Sequence, residues 1–323
     1  MPPYTITSKI LQLVSEIQSL LGESKHLIVK KPSVKLRKEN KIKTIHHSLA
    51  IEGNTLTESQ VSSLIEGKKV IGPKKQILEV KNAIRVYERV HELNPSTESD
   101  FLKAHKMLMA GLLEKPGFYR EQAVGIFKSG KVSRMAPPAK LVRGLMQNLF
   151  LFVNTDKKTL PLVMACIFHY ELEFIHPFED GNGRMGRLWQ QLFLMKASPI
   201  FEFLPIESLI YQDQKKYYLA LEKSDAKGAS TDFIEFSLEM ILKSLTEFSG
   251  EILSAKPKAT DRIDMAAEYF KSQSFSRKDY MNLFKEIATA TASRDLAQAV
   301  AVGIFKIKGT KSKAKYSLNK IKK

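Results

Sequence analysis

The 323-residue sequence predicts a mainly α-helical protein that ends in a small second domain. Apolar residues recur at helical spacing through most of the chain, and glycine and proline are scarce inside these segments. Gln122–Pro138 instead holds short β-compatible runs around Lys128–Lys131, which predicts a β-hairpin ending at two prolines. The C-terminal part of the sequence has three short helical patterns followed by two stretches in which apolar and polar residues alternate. The predicted fold class is therefore a helical bundle with a small hairpin, followed by a winged helix-turn-helix domain.

The periodic segments give the helices in order. A stripe over Ile10–Leu20 predicts the first helix, and a stripe over Ile42–Leu49 predicts a second that runs to about Glu52. Thr57–Gln60 reads as a capping box, so a third helix begins there. Further helices are predicted at about residues 75–93, 98–113, 138–154, 159–174, 183–197, 212–226 and 230–253, and in the second domain at 261–272, 276–285 and 291–302.

Composition and charge indicate the cellular compartment and the kinds of partner to expect. The single cysteine, Cys166, lies in an apolar run, so no disulfide can form within the chain and a reducing compartment is favoured. No secretion signal is evident over Met1–Leu20, and no apolar run reaches membrane-spanning length. We therefore expect a cytoplasmic protein with no membrane partner. The net charge is +17, and residues 256–323 hold sixteen Lys and Arg against six Asp and Glu.

The stretch from His176 to Arg187 is the strongest functional signal. Gly181 and Gly183 permit tight backbone, so that successive amides can converge on an anion where a helix begins. Arg184 and Arg187 are three residues apart and share a helix face. A self-capping polar helix start would explain a glycine and an asparagine, but not two arginines and an upstream imidazole. The stretch predicts a phosphate-binding site.

This stretch resembles the signature of the Fic family, H-P-F-x-[D/E]-G-N-G-R-x-x-R, at every specified position. Gly117–Arg120, the hairpin before Pro138, Tyr217–Leu221 and Asp232–Phe236 resemble further landmarks of that family in the same order. The resemblance covers roughly residues 40–250. Together with the winged-helix pattern at the end of the chain, it predicts N-terminal helices over 1–94 that include an inhibitory helix, a Fic catalytic core over 95–254 and a winged-helix-like domain over 255–323.

The resemblance implies a protein adenylyltransferase, which moves AMP from ATP to a Ser, Thr or Tyr hydroxyl of a target protein, with Mg²⁺. The attacking hydroxyl must lose a proton, which suits the imidazole of His176 as general base. Asp180 offers a hard oxygen ligand for Mg²⁺. Asn182 would position the α-phosphate, and by resemblance Arg184 faces the β-phosphate and Arg187 the γ-phosphate. The residues expected at ATP are Gly181, Asn182, Gly183, Arg184, Met185, Gly186, Arg187 and Tyr218.

The resemblance also implies roles for the β-hairpin and for one of the tyrosines Tyr217 and Tyr218. The hairpin resembles the family's flap, which pairs with the extended backbone of a target as an added strand. Its expected docking residues are Val124, Gly125, Ile126 and Phe127. Either Tyr217 or Tyr218 could cover the adenine, and either could equally be core; Tyr218 is the preferred candidate.

Ser48–Asn54 matches the family's inhibitory pattern, [S/T]-x-x-x-E-[G/N]. Glu52 continues the apolar stripe of its helix toward the interior, where a carboxylate needs a partner because an unpaired buried charge is costly. Gly53 would end the helix. The resemblance supplies Arg187 as the partner and groups Ser48 with Glu52 as inhibitory. An exposed glutamate at a helix end is the alternative.

Two histidine groupings have ligand-like spacing. His169 and Glu173 are four residues apart on one helix, and His46 and His47 are adjacent. We expect His46 and His47 to point to different faces. Packing or surface roles are favoured over a metal site in both places.

The C-terminal domain leaves two interpretations open. Arg294 and Gln298 could reach base edges of DNA while basic residues of the terminal hairpin hold its phosphates, or the domain could dock a protein or a second copy of this chain. The possible nucleic-acid contacts are Arg294, Gln298, Lys308, Lys311 and Lys313. The alternatives to an adenylyltransferase are a DNA-binding regulator that uses the nucleotide site as a sensor, and a Fic enzyme that uses another donor or removes AMP. The target could be the chain itself.

Overall fold

A computed structural model describes residues 3–23, 34–128, 131–254, 258–310 and 314–319, and these are mainly helical, as predicted. The helices are α1 Ser8–Glu23, α2 Val34–Ile51, α3 Glu58–Ile65, α4 Lys74–Glu88, α5 Glu98–Leu108, α6 Ala139–Thr155, α7 Pro161–Ile175, α8 Asn182–Ala197, α9 Ile206–Gln212, α10 Gln214–Lys227, α11 Thr231–Ser254, α12 Ala259–Phe270, α13 Arg277–Leu283 and α14 Thr289–Ala301. Short 3₁₀ helices span Val90–Glu92 and Pro199–Phe203. The strands are β1 Gly125–Lys128, β2 Lys131–Met135, β3 Phe275–Ser276, β4 Phe305–Lys308 and β5 Lys315–Leu318.

Local sequence signals account for several of these boundaries. The Thr57 hydroxyl accepts a hydrogen bond from the Gln60 amide, and the Gln60 side-chain oxygen accepts one from the Thr57 amide, so the predicted capping box is confirmed at the start of α3. The helix predicted over 98–113 was too long, because α5 ends at Leu108 and the chain turns through Gly111 at φ +71°. The helix predicted from residue 212 is preceded by the separate helix α9.

The chain divides into two compact units. Residues 3–23 and 34–248 belong to the first, so the helices predicted as an N-terminal segment share one unit with most of the predicted core. Helices α7 and α8 pack closely in its centre, where a Cβ on Gly186 would clash with the ring of His169. The largest side chains buried here include Phe101, Phe168 and Trp189. This pair of helices carries both ends of the loop described below.

Residues 249–254, 258–310 and 314–319 belong to the second unit. Helices α12–α14 enclose a core that includes Phe270, Phe275 and Leu296. The strands form an antiparallel sheet in the order β3-β5-β4. The three helices and the terminal hairpin match the predicted order, but strand β3 was not foreseen, because its pairing of Phe275 with Tyr316 is a tertiary contact. Assignment of this unit as a winged helix stays a prediction. In the described part of the chain, no helix is both long enough and apolar enough to cross a membrane.

Candidate functional site

His176 occupies the turn between helices α7 and α8. It is the residue that ends α7, with left-handed backbone at φ +50° and ψ +61°. A non-glycine residue in this region carries strain, which persists only where surrounding structure enforces it. The imidazole is 19% exposed at the edge of a cavity, and its Nδ1 lies 4.0 Å from Glu173 Oε2. The catalytic candidate predicted from the sequence therefore faces open space.

Arg120 enforces this backbone conformation. Its Nε donates to the carbonyl of His176 at 2.7 Å, and its Nη2 donates to the carbonyls of Pro137 at 2.6 Å and Ile175 at 3.3 Å. Its Nη1 donates to the carbonyl of Gln122 at 2.8 Å. One buried guanidinium thus joins the turn at His176 to both ends of the β-hairpin. The sequence pattern included Arg120 as a family landmark but did not reveal this role.

His105, on helix α5, supports the loop after His176. Its ring stacks on Phe178 at a centroid distance of 3.5 Å. The Gly117 amide donates to Nδ1 at 2.9 Å, so Nδ1 is the acceptor and the protonated Nε2 donates to the carbonyl of Asp180 at 3.0 Å. Burial lowers the pKa of His105 to about 4, which keeps it in this neutral form. Sequence reasoning missed this residue, since nothing local to it indicates a partner 75 positions away.

The loop leads directly into the start of helix α8. Gly181 precedes the helix at φ +90°, and a side chain there would clash with Met109. Asn182 was expected to position a phosphate, but both polar atoms of its side chain are bonded to the backbone of Phe178, at 2.9 Å each. The side chain therefore braces the loop, and what Asn182 presents to the cavity is the amide of a first helical turn, which has no intrahelical acceptor.

Met185 and Gly186 were expected at ATP, and that expectation stays a prediction. Met185 is fully buried, and a Cβ on Gly186 would clash with the ring of His169 on α7. They support the site through packing and do not line the cavity.

Asp180 and Arg184 form an ion pair beside this helix start. Arg184 Nη2 donates to Asp180 Oδ1 at 2.6 Å, and the Gly181 amide donates to the same oxygen at 2.6 Å. Burial alone would raise the pKa of Asp180, but the charge of Arg184 and these hydrogen bonds bring it below its ordinary value. Its side chain is 45% exposed toward the cavity, whereas Arg184 is buried and also lies 3.6 Å from Glu79. The ionised carboxylate of Asp180 at the cavity fits Mg²⁺, since that ion binds few protein ligands together with substrate phosphates.

Arg187 is held by the end of helix α2. Its Nη2 donates to Glu52 Oε1 at 2.7 Å and to the carbonyl of Ser48 at 2.8 Å, and its Nε donates to Ser48 Oγ at 3.1 Å. Burial disfavours the charged form of Arg187 and would lower its pKa. The negative charge of Glu52 outweighs this effect, so the pKa of the guanidinium is raised. Nη1 is buried and has no hydrogen-bond partner among the described residues. A cation with an unpartnered donor can accept a further anion.

Glu52 lies at the edge of the cavity and not in the interior as expected. Helix α2 ends at Ile51, Gly53 turns the chain at φ +89°, and the Glu52 side chain stays 34% exposed. The buried partner of the pair is Arg187, at 1%. A Cβ on Gly183 would clash with Glu52 Oε1, so the carboxylate occupies space directly above the start of α8.

These groups surround one cavity of about 570 Å³. Tyr218 lines it as expected. Tyr217 also borders it, but is buried with its hydroxyl 3.2 Å from His169 Nε2 and 3.3 Å from Glu173 Oε1. Of the flap, strands β1 and β2 form the predicted antiparallel hairpin, and Val124 and Gly125 reach the cavity. For Ile126 and Phe127 the structure describes the strand but not the side chains. The lining comprises Glu52, Ala123, Val124, Gly125, Glu173, His176, Glu179, Asp180, Gly181, Asn182, Gly183, Tyr217, Tyr218, Leu221, Glu222 and Asp225.

The histidine groupings behave differently from each other. His169 bonds Gln190 at 2.7 Å and Tyr217, consistent with a packing role. His46 and His47 were expected on different faces, but both approach Glu58, at 3.9 Å and 3.8 Å. The expectation that they point to different faces was wrong: the two rings lie side by side, edge to face, with their centroids 4.6 Å apart.

The second unit exposes part of the predicted nucleic-acid surface. Arg294, Gln298 and Lys308 are exposed, while Leu296 is buried. Lys311 and Lys313 lie outside the described residues.

Comparison with known proteins gives one family model match: the Fic/DOC family, over residues 95–194. A crystal structure of a Fic family protein from Desulfovibrio desulfuricans G20 is 37% identical, covers 100% of this chain and 99% of that chain, and superimposes with a TM-score of 0.76. "Protein adenylyltransferase Fic" of Nematostella vectensis is 30% identical over 71% of this chain and 54% of its own length. The Fic-1 fragment of C. elegans, 22% identical with a TM-score of 0.64 over 76% of this chain and 74% of that chain, shares the fold. The chain spans about half the length of the curated relatives it matches.

Proposed function

The chain belongs to the Fic family, and we propose that it is a protein adenylyltransferase that transfers AMP from ATP to a hydroxyl side chain of a target protein, itself included, under restraint by Glu52. One observation carries the proposal. His176 and the start of helix α8 line the same cavity, and the carboxylate of Glu52 lines it too while accepting a hydrogen bond from the buried Arg187.

The proposed reaction is a displacement at the α-phosphorus. The target hydroxyl gives its proton to the imidazole of His176 as its oxygen bonds to phosphorus, and the bond to the β-phosphate oxygen breaks, so that pyrophosphate leaves. Amides of Asn182 and Gly183 would hold the phosphate oxygens at the helix start, where the dipole favours negative charge. Mg²⁺, held by Asp180, would neutralise charge on the phosphates.

Restraint follows from competition for Arg187. A γ-phosphate could reach Nη1, which has no partner within the described part of the chain, but one that pairs with both terminal nitrogens of this guanidinium must displace the Glu52 carboxylate, which accepts a hydrogen bond from Nη2 at 2.7 Å. While Glu52 stays, a triphosphate lacks this anchor and seats unproductively. The Gln214 side chain donates to the carbonyl of Ile51 at 3.0 Å, which holds the helix end that carries Glu52.

The flap would align the target. A strand at the cavity edge can pair with an extended backbone and read little of its side-chain sequence. Val124 and Gly125 border the cavity on this side, next to His176.

The test is mass spectrometry of the Glu52→Gly protein incubated with ATP, Mg²⁺ and cell lysate. We expect adenylylated peptides from this variant and none from Glu52→Gly/His176→Ala, which should still bind ATP in calorimetry. Parallel incubations with other nucleoside triphosphates distinguish another donor, and incubation with adenylylated product distinguishes AMP removal. Absence of any modification from Glu52→Gly, with ATP bound, would contradict the proposal.

A second candidate function concerns the C-terminal unit. Arg294 and Gln298 are exposed on helix α14 and Lys308 is exposed on strand β4, consistent with phosphate and base-edge contacts to DNA. A gel-shift titration over a salt series tests it: binding that weakens with salt, and weakens further in Arg294→Ala/Lys308→Ala, supports DNA binding. No binding at low salt would leave a docking role for the unit.

A further inference from the structure

A second cluster of ligating side chains lies outside the nucleotide cavity. His46 and His47 belong to helix α2, and Glu58 is the first residue of helix α3. One ligand atom from each residue lies within 4.8 Å of those of the other two, and Glu58 Oε1 is 3.9 Å from His46 Nδ1 and 3.8 Å from His47 Nε2. From this geometry we propose a transition-metal site, with Zn²⁺ as the favoured ion, formed by His46, His47 and Glu58.

The hydrogen bonds of His47 select the nitrogen that a metal needs. Nδ1 lies 2.9 Å from the carbonyl of Lys43 and 3.0 Å from Ser208 Oγ. Because a carbonyl only accepts, Nδ1 carries the proton, and Nε2 presents a lone pair toward Glu58. An outer hydrogen bond from the second ring nitrogen to a carbonyl is the arrangement that orients metal-binding histidines. A nitrogen lone pair and a carboxylate are both electron-rich, so a cation between them would stabilise the arrangement.

His46 points to the same conclusion independently. Its Nδ1 is buried and has no hydrogen-bond partner in the part of the chain that the structure describes. A buried polar atom without a partner costs free energy, which a metal ion in this position would recover.

Distances and ligand chemistry decide which ion fits. Nitrogens and oxygens about 2.0–2.1 Å from Zn²⁺ lie about 3.3 Å from one another in a tetrahedron, so the distances of 3.9 Å and 3.8 Å from Glu58 to the two imidazoles must shorten by about 0.5 Å. Glu58 can supply that movement, since its side chain is 48% exposed. Two imidazoles and one carboxylate favour Zn²⁺, or Co²⁺ and Ni²⁺ as substitutes, over Mg²⁺ or Ca²⁺. Water would complete the coordination.

The position of the site gives it a consequence for the restraint, and this part rests on the proposed function. The ligands bracket the short segment 48–57, which contains Glu52. An ion that ties the end of α2 to the start of α3 would hold Glu52 in place against Arg187 and so strengthen the restraint on AMP transfer.

The binding experiment uses the untagged full chain after chelator treatment, titrated with Co²⁺ without nucleotide. We expect visible absorption bands that saturate at one equivalent in the wild type and that Zn²⁺ abolishes. His47→Ala and Glu58→Gln should weaken Co²⁺ binding at least about tenfold. His91→Ala is the matched control, because His91 also contacts a glutamate, Glu202, at 3.0 Å on the surface, and it should bind like the wild type.

Glu58→Gln decides the outcome if His47→Ala does not fold. Absence of saturable binding in the wild type, or equal binding by Glu58→Gln, would overturn the site. A second measurement follows AMP transfer at fixed Mg²⁺ with and without one equivalent of Zn²⁺. We expect transfer to fall at least about threefold in the wild type and not in Glu52→Gly. If Zn²⁺ binds, Glu52→Gly transfers AMP and the wild-type transfer rate does not change with Zn²⁺, the metal site stands. Only its proposed effect on the restraint would then be overturned.

Discussion

Glu52 and Arg187 are 135 positions apart in the chain, yet Glu52 Oε1 accepts a hydrogen bond from Arg187 Nη2 at 2.7 Å. The two residues contribute unequally. Arg187 is buried and immobilised by Ser48, whereas Glu52 is the accessible member at the cavity edge. The pair can therefore open by movement of Glu52 alone, which is the property that a removable restraint requires.

Glu52→Gln should raise AMP transfer at least about tenfold over the wild type. The amide keeps the size of the side chain but removes the charge, and hydrogen bonds to charged groups contribute about 1.5–3 kcal/mol. The readout is the initial rate of labelled AMP incorporation at saturating Mg²⁺. Glu88→Gln, on the exposed face of α4, is the control and should match the wild type. Equal rates for Glu52→Gln and wild type would show that the charge of Glu52 does not restrain AMP transfer.

Asp180→Asn, made in the Glu52→Gly protein, should raise the Mg²⁺ concentration for half-maximal transfer about tenfold or more. The substitution removes the ionised oxygen while keeping an acceptor for the Gly181 amide. The measurement is the transfer rate over a Mg²⁺ series. Glu179→Gln is the matched control, a neighbouring carboxylate that also lines the cavity. If both variants shift equally, Asp180 has no special role toward the metal.

Arg120→Met should lower the free energy of unfolding by about 3 kcal/mol, because four backbone carbonyls lose their donor. In the Glu52→Gly background it should also lower the rate of transfer, since the His176 backbone loses its brace. Urea unfolding and initial rates provide the two measurements. Arg85→Met, on an exposed position of α4, should change neither. Stability within 1 kcal/mol of the parent would show that these bonds contribute little.

His105 predicts a pH dependence of stability. Its folded pKa of about 4 lies below the ordinary value of 6.5, so the unfolded chain takes up the proton first as pH falls. Stability is therefore complete above about pH 6.5 and is lost as pH falls from there toward 4, by up to about 1.4 kcal/mol per pH unit.

His105→Gln should show a shallower loss over the same range in urea unfolding between pH 7 and pH 4.5. The similarly buried His169 contributes equally to both proteins and cancels in the comparison. His91→Gln, at an exposed histidine, should retain the wild-type slope. Identical slopes for His105→Gln and wild type would mean that His105 is protonated in the folded state as readily as in the unfolded chain.

Much of the fold was predictable because local chemistry specifies it. Helical periodicity, the capping box at Thr57 and the glycine turn at Gly53 depend on residues a few positions apart. The resemblance to a known signature also placed His176 and paired Glu52 with Arg187. In the described residues, the errors arise where the outcome depends on contacts with distant segments: the length of α5, the depth of Glu52, and the faces of His46 and His47.

The sequence by itself determined most of the helices and the first hairpin, since these depend on short-range spacing, and its resemblance to a known signature pointed to the residues that carry the proposed chemistry. Only the tertiary structure decided what holds these residues in place. Arg120 braces the turn at His176, His105 supports the loop at Asp180, and Glu58 meets the two histidines of α2. These contacts join segments far apart in the chain, and packing of the whole unit selects them, so no local pattern can specify them.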